Sequence, residues 1–579
     1  MSPLLSVRDL SVGFGTQAAA NPVVQDVGFD LSPSETLAIV GESGSGKSVT
    51  AMAINRLVDF GGGRILDGSI HFTDAAGQVS DLAQAEEADM EKIRGRQIGM
   101  VFQEPMTSLN PVLSIGAQLE EVFRLQHGLT RSQAKRAARD ALQRVRIPDA
   151  ERRLVYAPHQ LSGGMLQRVM IAIALASNPR LLIADEPTTA LDVTIQAQIM
   201  GLLAELRGET GTGLIFITHD ISLVAGFADR VMVMQEGRVV EQGALTDILD
   251  DPQHPYTQHL LRAVPQFADG KAARRGVPRE AAGCDPALAV DDLCVRFPVQ
   301  SGLLRRRTGN VHAVEGLSFD LFRGETLGIV GESGSGKSTI ARAILDLVAP
   351  THGDIQIDRA AKADTLKPVQ MVFQNPNASL NPRLTVEQLL AEPIRAVGRR
   401  VDPDARARMH SLLERVELPS DSLDRYPYEF SGGQRQRLCI ARSLMLNPSV
   451  LVLDEAVSAL DVSVQARVLD LLIALQKDYG LAYLFVSHDM AVVERISHRI
   501  AVVFAGRIVE IGRASQVLSA PRHSYTQQLI KAVPSVHRRH REFAINTQEV
   551  PSLVRPVGWE PEPASWSKAG ADHIYRQEA

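Results

Sequence analysis

Cysteine is nearly absent. The 579 residues carry three, Cys284, Cys294 and Cys439, and no two stand at metal-ligand spacing. This excludes a disulfide framework and a cysteine-held metal site as organising features, and it points to a reducing, cytosolic setting. Long apolar runs are missing too: no stretch approaches the roughly 18 to 20 residues that a spanning helix requires. The opening MSPLLSVRDLSV has neither the basic start nor the apolar run of a signal peptide. Any membrane role is therefore expected to be peripheral. A large excess of one charge sign is missing as well, with 61 Lys and Arg against 67 Asp and Glu, and a net charge of -6 gives no electrostatic reason to expect nucleic acid as a partner. The short basic runs Arg305 to Arg307 and His537 to Arg541 read as solvated surface. What remains is an ordinary globular composition, 45% hydrophobic and 22% charged, on a chain long enough for about four globular units.

What the chain does have, it has twice. GESGSGKS occurs at Gly41 to Ser48 and again, letter for letter, at Gly331 to Ser338. Those copies differ by 290 positions, whereas Ser162 and Ser431, Asp185 and Asp454, His219 and His488, and His254 and His523 all differ by 269. The discrepancy falls mostly between the phosphate loop and the next motif, since Lys47 to Gln103 spans 56 positions and Lys337 to Gln374 only 37. The first half is therefore expected to carry a local insertion around Gly61 to Glu91. Gly, Pro and charge crowd GKAARRGVPREAAGCDP, which reads as a linker. The expected organisation is a first domain over 1–265, a linker over 266–287, a second domain over 288–534 and a C-terminal tail over 535–579. Apolar runs before Gly41, Gly331, Asp185, Asp454, His219 and His488 read as buried strands, so the fold class is α/β with a largely parallel sheet in each half. The SGG at 162–164 and at 431–433 opens a helix in each half.

The chemistry follows from these placements. G-x-x-x-x-G-K-[ST] between strand and helix lets backbone N–H groups surround phosphate oxygens. The loop residues are Gly41, Glu42, Ser43, Gly44, Ser45, Gly46, Lys47 and Ser48, repeated as Gly331, Glu332, Ser333, Gly334, Ser335, Gly336, Lys337 and Ser338. Lys47 and Lys337 are expected to reach the β and γ phosphates, and Ser48 and Ser338 to ligate Mg²⁺. Strands ending in paired acids place Asp185 and Asp454 to hold Mg²⁺ through water, and Glu186 and Glu455 to polarise an attacking water. Ser162, Gly163 and Gly164, with Ser431, Gly432 and Gly433, expose helix N-terminal donors to an anion, a second phosphate-binding surface. One nucleotide does not need two cradles from one half. Each SGG is therefore expected to serve the nucleotide held by the opposite half.

Together with VFQEP at Gln103, VFQNP at Gln374, ALD at Ala190 and Ala459, and HD at His219 and His488, these motifs resemble ABC-type ATPases over nearly the whole chain. The resemblance implies two tandem P-loop ATPase domains, each with a mostly parallel sheet core, an antiparallel β part and a helical subdomain, binding ATP and Mg²⁺. It implies that Gln103 and Gln374 sense the γ-phosphate or Mg²⁺ near the membrane partner. It also implies that His219 and His488 contact the γ-phosphate and hold the attacking water, and that Asp192 and Asp461 communicate across the interface. Phe14 and Phe297 sit where the family stacks an aromatic on adenine.

A narrower resemblance lies outside that core. HPYTQHLLRAVP at His254 and HSYTQQLIKAVP at His523, with MTSLNP and NASLNP after the two glutamines, look like the importer ATPases for di- and oligopeptides, nickel and related solutes. In that group two different subunits usually pair, and this chain resembles a fusion of the two. The His-x-Tyr segments read as structural packing that carries no chemistry. The resemblance implies an ATPase on the cytoplasmic face of the bacterial inner membrane, working with two integral membrane permease subunits and an extracytoplasmic solute-binding protein. Peptides are the first solute expected, with nickel, glutathione and opine-like or sugar-derived solutes behind. Some members carry a cysteine cluster after the His-Pro-Tyr segment, but EVPSLVRPVGWEPEP has none, so no iron–sulfur cluster is expected. A soluble twin-ABC protein acting on ribosomes or DNA is the rival. Its ribosomal kind usually has a long charged linker and DEPTNHLD, where this chain reads DEPTTALD and DEAVSALD, and its DNA-repair kind has zinc-binding cysteines.

Overall fold

The computed structural model describes residues 3–15, 21–188, 191–263, 267–268, 285–301, 306–358, 366–458, 460–534, 552–561, 565–570 and 572–577. Ala190, Ala459, Cys284 and most of the 266–287 segment lie outside these. Cys294 and Cys439 are buried free thiols. The chain divides into two compact units, the first mainly Met1–Leu191 and Ile195–Val264, the second mainly Pro265–Val533 and Thr547–Ala579.

In the first unit a six-stranded sheet runs in the order Arg238–Ala244, Arg230–Gln235, Thr36–Val40, Gly213–Thr218, Leu181–Asp185, Ile98–Val101. All neighbours are parallel except the first pair. The runs TLAIV, LLIAD and GLIFIT are buried along their whole length, as a parallel sheet covered on both faces requires. Alternation along one strand shows the two covers. Leu181 and Ile183 pack with the phosphate-loop helix and an antiparallel sheet, while Leu182 and Ala184 pack with helices. The antiparallel sheet is ordered Asn21–Leu31, Leu5–Phe14, Gly63–Thr73, Val79–Asp81. The helical part includes Ile115–His127 and Arg131–Arg144, which bury Leu119, Ala138 and Leu142.

The expected insertion is structured. Its strand Val79–Asp81 extends the antiparallel sheet, and its helix Glu87–Ile93 buries Met90 and Ile93. Two arginines tie it beneath the end of the phosphate-loop helix. Arg56 donates to the Leu82 and Ala83 carbonyls at 3.0 and 2.8 Å, and Arg94 donates to Asn55 O at 2.9 Å.

The second unit repeats this plan and adds to it. Its main sheet runs Val369–Val372, Val450–Asp454, Ala482–Val486, Thr326–Val330, Arg499–Phe504, Arg507–Arg513, then His573–Arg576 and Trp566–Gly570. A further strand, Val554–Pro556, pairs with Arg306–Leu321 in the antiparallel sheet. Residues read from the sequence as a tail thus supply three strands. Their short, half-exposed segments have no apolar run to mark them. What anchors them is polar: His573 Nε2 lies 2.6 Å from the buried Glu510 carboxylate, and Arg513 meets Asp572 at 2.7 Å.

Candidate functional site

Each phosphate loop leaves a wholly buried strand and enters a helix, Lys47–Ile54 or Lys337–Ile344. At the helix entrance Gly46 and Gly336 hold φ of 96° and 105°, a left-handed conformation that a Cβ disfavours. A Cβ on Gly41 or Gly331 would lie 2.3 or 2.1 Å from the Met234 or Val503 carbonyl oxygen, so the loop can press against the neighbouring strand only with glycine there. Lys47 is buried and donates to Gly41 O and Glu42 O, both at 2.8 Å; Lys337 does the same to Gly331 O and Glu332 O at 2.7 and 2.8 Å. Burial pushes the Lys337 ammonium below its ordinary value. Ser43, Gly44, Ser333 and Gly334 form the exposed loop tips, while Ser45 and Ser335 are buried beneath them. The Ser335 hydroxyl has no hydrogen-bond partner among the described residues. A glycine-rich loop curled around a buried lysine at a helix N-terminus suits a polyphosphate.

The acids converge on the same place. Ser48 Oγ donates to Asp185 at 2.9 Å and Ser338 Oγ to Asp454 at 3.3 Å. Burial pushes Asp185 up to about 6, against the opposing effect of the Ser48 hydrogen bond. Asp454 is raised by burial and then by the neighbouring Glu455 charge. Buried acids of this kind gain from a cation. Hydroxyl and carboxylate oxygens suit Mg²⁺, which takes one or two carboxylates and leaves its other positions to phosphate and water. Among the described residues no group of three or more His, Cys, Asp or Glu side chains could hold a metal by itself.

Glu186 and Glu455 stand at the strand ends with φ of 44° and 48°. A left-handed glutamate is a strained backbone of the kind that collects at functional sites. Gln103 Nε2 donates to Glu186 at 2.9 Å and Gln374 to Glu455 at 2.6 Å. His219 Nδ1 lies 3.2 Å from Glu186 and His488 Nδ1 3.3 Å from Glu455. Burial alone would lower both histidines, but the hydrogen bond and charge of the glutamate hold them above the ordinary histidine value. The bond from His488 in turn holds Glu455 low. The aspartates of the two HD pairs act locally. Asp220 accepts from Ser222 N and Asp489 from Ala491 N, capping the next helix and fixing the turn that carries the histidine.

Ser162 and Ser431 cap the helices Gly163–Leu175 and Gly432–Leu444, accepting from Met165 N and Gln434 N at 3.4 Å. The second glycine of each SGG is required by packing, because a Cβ would meet Ile195 at 2.7 Å or Val464 at 2.2 Å. The first is not so constrained: among the described residues a Cβ on Gly163 would meet Leu191 at 3.7 Å and one on Gly432 would meet nothing within 4 Å. The bonds that gather Lys47, Ser48, Gln103, Asp185, Glu186 and His219 are matched around Lys337. Ser162 and Ser431 are engaged instead in their own caps. Phe14 ends its strand with its ring over Gly63, where a Cβ would fall 2.7 Å from Cε1, and Phe297 is 40% exposed on the corresponding strand.

A model of the ABC transporter family matches residues 24–189 and 314–458. The chain belongs to the ABC transporter family. A second model, the oligopeptide/dipeptide transporter C-terminal region, matches residues 240–285 and 509–558. Glutathione import ATP-binding protein GsiA of Pectobacterium atrosepticum is 50% identical over 601 residues, covering 99% of this chain and 96% of the relative. The protein of that name in Escherichia coli is 48% identical over 603 residues, covering 99% and 97%. In fold, the chain resembles the archaeal ribosome recycling factor aABCE1 solved with the stalk protein aP1, at a TM-score of 0.54 and 20% identity over 86% of this chain and 89% of that one. This ABC protein is thus an ATPase coupled to solute import, of the peptide/nickel importer group. Among the described residues no helix is long and apolar enough to cross a membrane.

One pair of residues meets the phosphate loops from outside the expected site. Tyr256 and Tyr525 belong to the segments read as packing alone, yet their hydroxyls accept from the backbone N–H of Glu42 at 3.1 Å and Glu332 at 3.0 Å, the second residue of each phosphate loop. The repeated His-x-Tyr spacing was visible; its target was not.

Proposed function

We propose that this chain is the ATP-hydrolysing subunit of a glutathione importer, a solute the sequence placed behind di- and oligopeptides. The observation that carries the solute is identity near one half, over essentially the full length, to ATPases named for glutathione import. Glutathione is itself a short peptide, in keeping with the match to the oligopeptide/dipeptide C-terminal region. That same full-length identity leaves the ribosome or DNA reading without support, since the likeness to a ribosomal ABC protein is one of fold.

In this reading the two phosphate loops each bind ATP. Mg²⁺ is held by Ser48, Gln103 and Asp185 in the first half and by Ser338, Gln374 and Asp454 in the second. When bound, it neutralises charge developing on the transferred phosphoryl group. Glu186 and Glu455 orient and polarise the attacking water, and His219 and His488 steady the γ-phosphate. The glutamine bonds to both glutamates support a sensor role for Gln103 and Gln374, because a ligand that draws the amide away also frees the carboxylate. Each SGG serves the nucleotide of the other half, because one nucleotide does not need two phosphate cradles from a single half. Phe14 and Phe297 stack on adenine. Two membrane permeases and an extracytoplasmic binding protein supply the solute path, and the ATPase sits peripherally on the cytoplasmic face of the inner membrane.

Reconstitution with those permeases and binding protein tests the solute. Reduced glutathione is expected to stimulate ATP hydrolysis more than a dipeptide or nickel does. Stimulation by nickel or a dipeptide with no response to glutathione would contradict the assignment.

A further inference from the structure

We infer that Tyr256 and Tyr525 are positioning residues that hold the two phosphate loops in their ATP-binding shape. The same chain of bonds occurs in each half. Glu241 accepts from the Gln253 and His254 N–H groups at 2.7 and 3.1 Å, His254 Nδ1 accepts from Tyr256 N at 3.2 Å, and Tyr256 Oη accepts from Glu42 N at 3.1 Å. In the second half Glu510 accepts from the Arg522 and His523 N–H groups at 2.9 and 3.0 Å, His523 Nδ1 accepts from Tyr525 N at 3.1 Å, and Tyr525 Oη accepts from Glu332 N at 3.0 Å.

The glutamate lies on the strand beside the one whose carbonyl presses on the first loop glycine, so the hook is anchored in the same sheet that the loop leaves. Tyr525 is buried, with its ring 4.2 Å from Phe504. A loop that binds phosphate through backbone N–H groups depends on where its backbone lies, and a hydroxyl accepting from its second residue sets that position before ATP arrives. The His-x-Tyr segment then has a chemical purpose: it secures the nucleotide loop.

This inference rests on the phosphate loops being the ATP sites, and the experiment separates the two. Steady-state ATP hydrolysis and thermal unfolding are measured on the full chain for Tyr256→Phe, Tyr525→Phe and the double variant, with Lys47→Ala and Lys337→Ala alongside. Phenylalanine keeps the ring and removes only the hydroxyl. The expected result is a KM for ATP raised about three- to tenfold in the double variant, the range one neutral hydrogen bond supports, with kcat changed less than about twofold. An unchanged KM overturns the inference, whether or not the melting temperature falls, because a purely structural tyrosine lowers stability alone. If the lysine variants also keep normal KM and kcat, the assignment of the ATP sites itself fails.

Discussion

The two halves of this chain hold matching sets of hydrogen-bonded side chains on unequal scaffolds. Lysine, serine, acid, glutamine and histidine meet with matching partners around each phosphate loop. The surroundings diverge. The first half braces the end of its phosphate-loop helix with an inserted strand and helix. The second extends both sheets with C-terminal strands and adds an ionic cluster in which Arg296 meets Glu315 at 2.6 Å and His312 lies against the same carboxylate and edge-on to Trp559. Catalytic geometry tolerates little change, because small misplacements cost rate. The scaffold around it needs only to hold that geometry, so unequal solutions coexist within one chain.

The largest expected effect tests the shared part. Glu186→Gln and Glu455→Gln, made singly, should each slow ATP turnover by about 100-fold or more, the range for loss of a general base. Unchanged hydrolysis in either variant breaks the equivalence of the halves.

A smaller effect tests the unequal part. Both Glu510 and Glu241 accept two backbone N–H groups, but Glu510 is fully buried and also meets His573 in the extended sheet, whereas Glu241 is only partly buried. Glu510→Ala also leaves the buried His573 without its acceptor and strands its N–H groups away from water, and should cost about 3 kcal/mol, against about 1 kcal/mol for the partly exposed Glu241→Ala. Denaturant unfolding followed by hydrogen exchange in the strands Arg507–Arg513 and Arg238–Ala244 separates the two. Equal losses would mean that the C-terminal strands add nothing.

Acid gives the smallest effect. Burial would raise Glu315, but the Arg296 bond and the nearby His312 hold it below the ordinary glutamate value. A carboxylate with a lowered folded value contributes stability above its unfolded value of about 4.5 and loses it as pH falls through the folded one. Gln25 fills the corresponding place in the first half, its N–H bonded to Gly237 O as that of Glu315 is to Gly506 O. Glu315→Gln should therefore flatten the acid loss of the second unit below about pH 4.5 by roughly 1 kcal/mol and leave the first unit alone. A shift confined to the first unit contradicts the assignment.

Much of this was readable from residues alone. Apolar runs of five or six buried residues marked Thr36–Val40, Leu181–Asp185 and Gly213–Thr218 as parallel strands, since such strands are covered on both faces. The motif residues were legible because each chemistry needs particular side chains at particular spacing. The strands Val554–Pro556, Trp566–Gly570 and His573–Arg576 were not, because they are held by backbone pairing and by His573 and Asp572 rather than by apolar alternation. The tyrosine hooks were hidden for another reason: their partner is a backbone N–H about 200 residues away, which leaves no mark in composition or period.

The central claim, that both halves bind and turn over ATP, is tested most directly by photolabelling the full chain with 8-azido-ATP under vanadate trapping and mapping the labelled peptides. Label is expected in comparable amount on peptides from both the first and the second half. Label confined to one half would contradict the account.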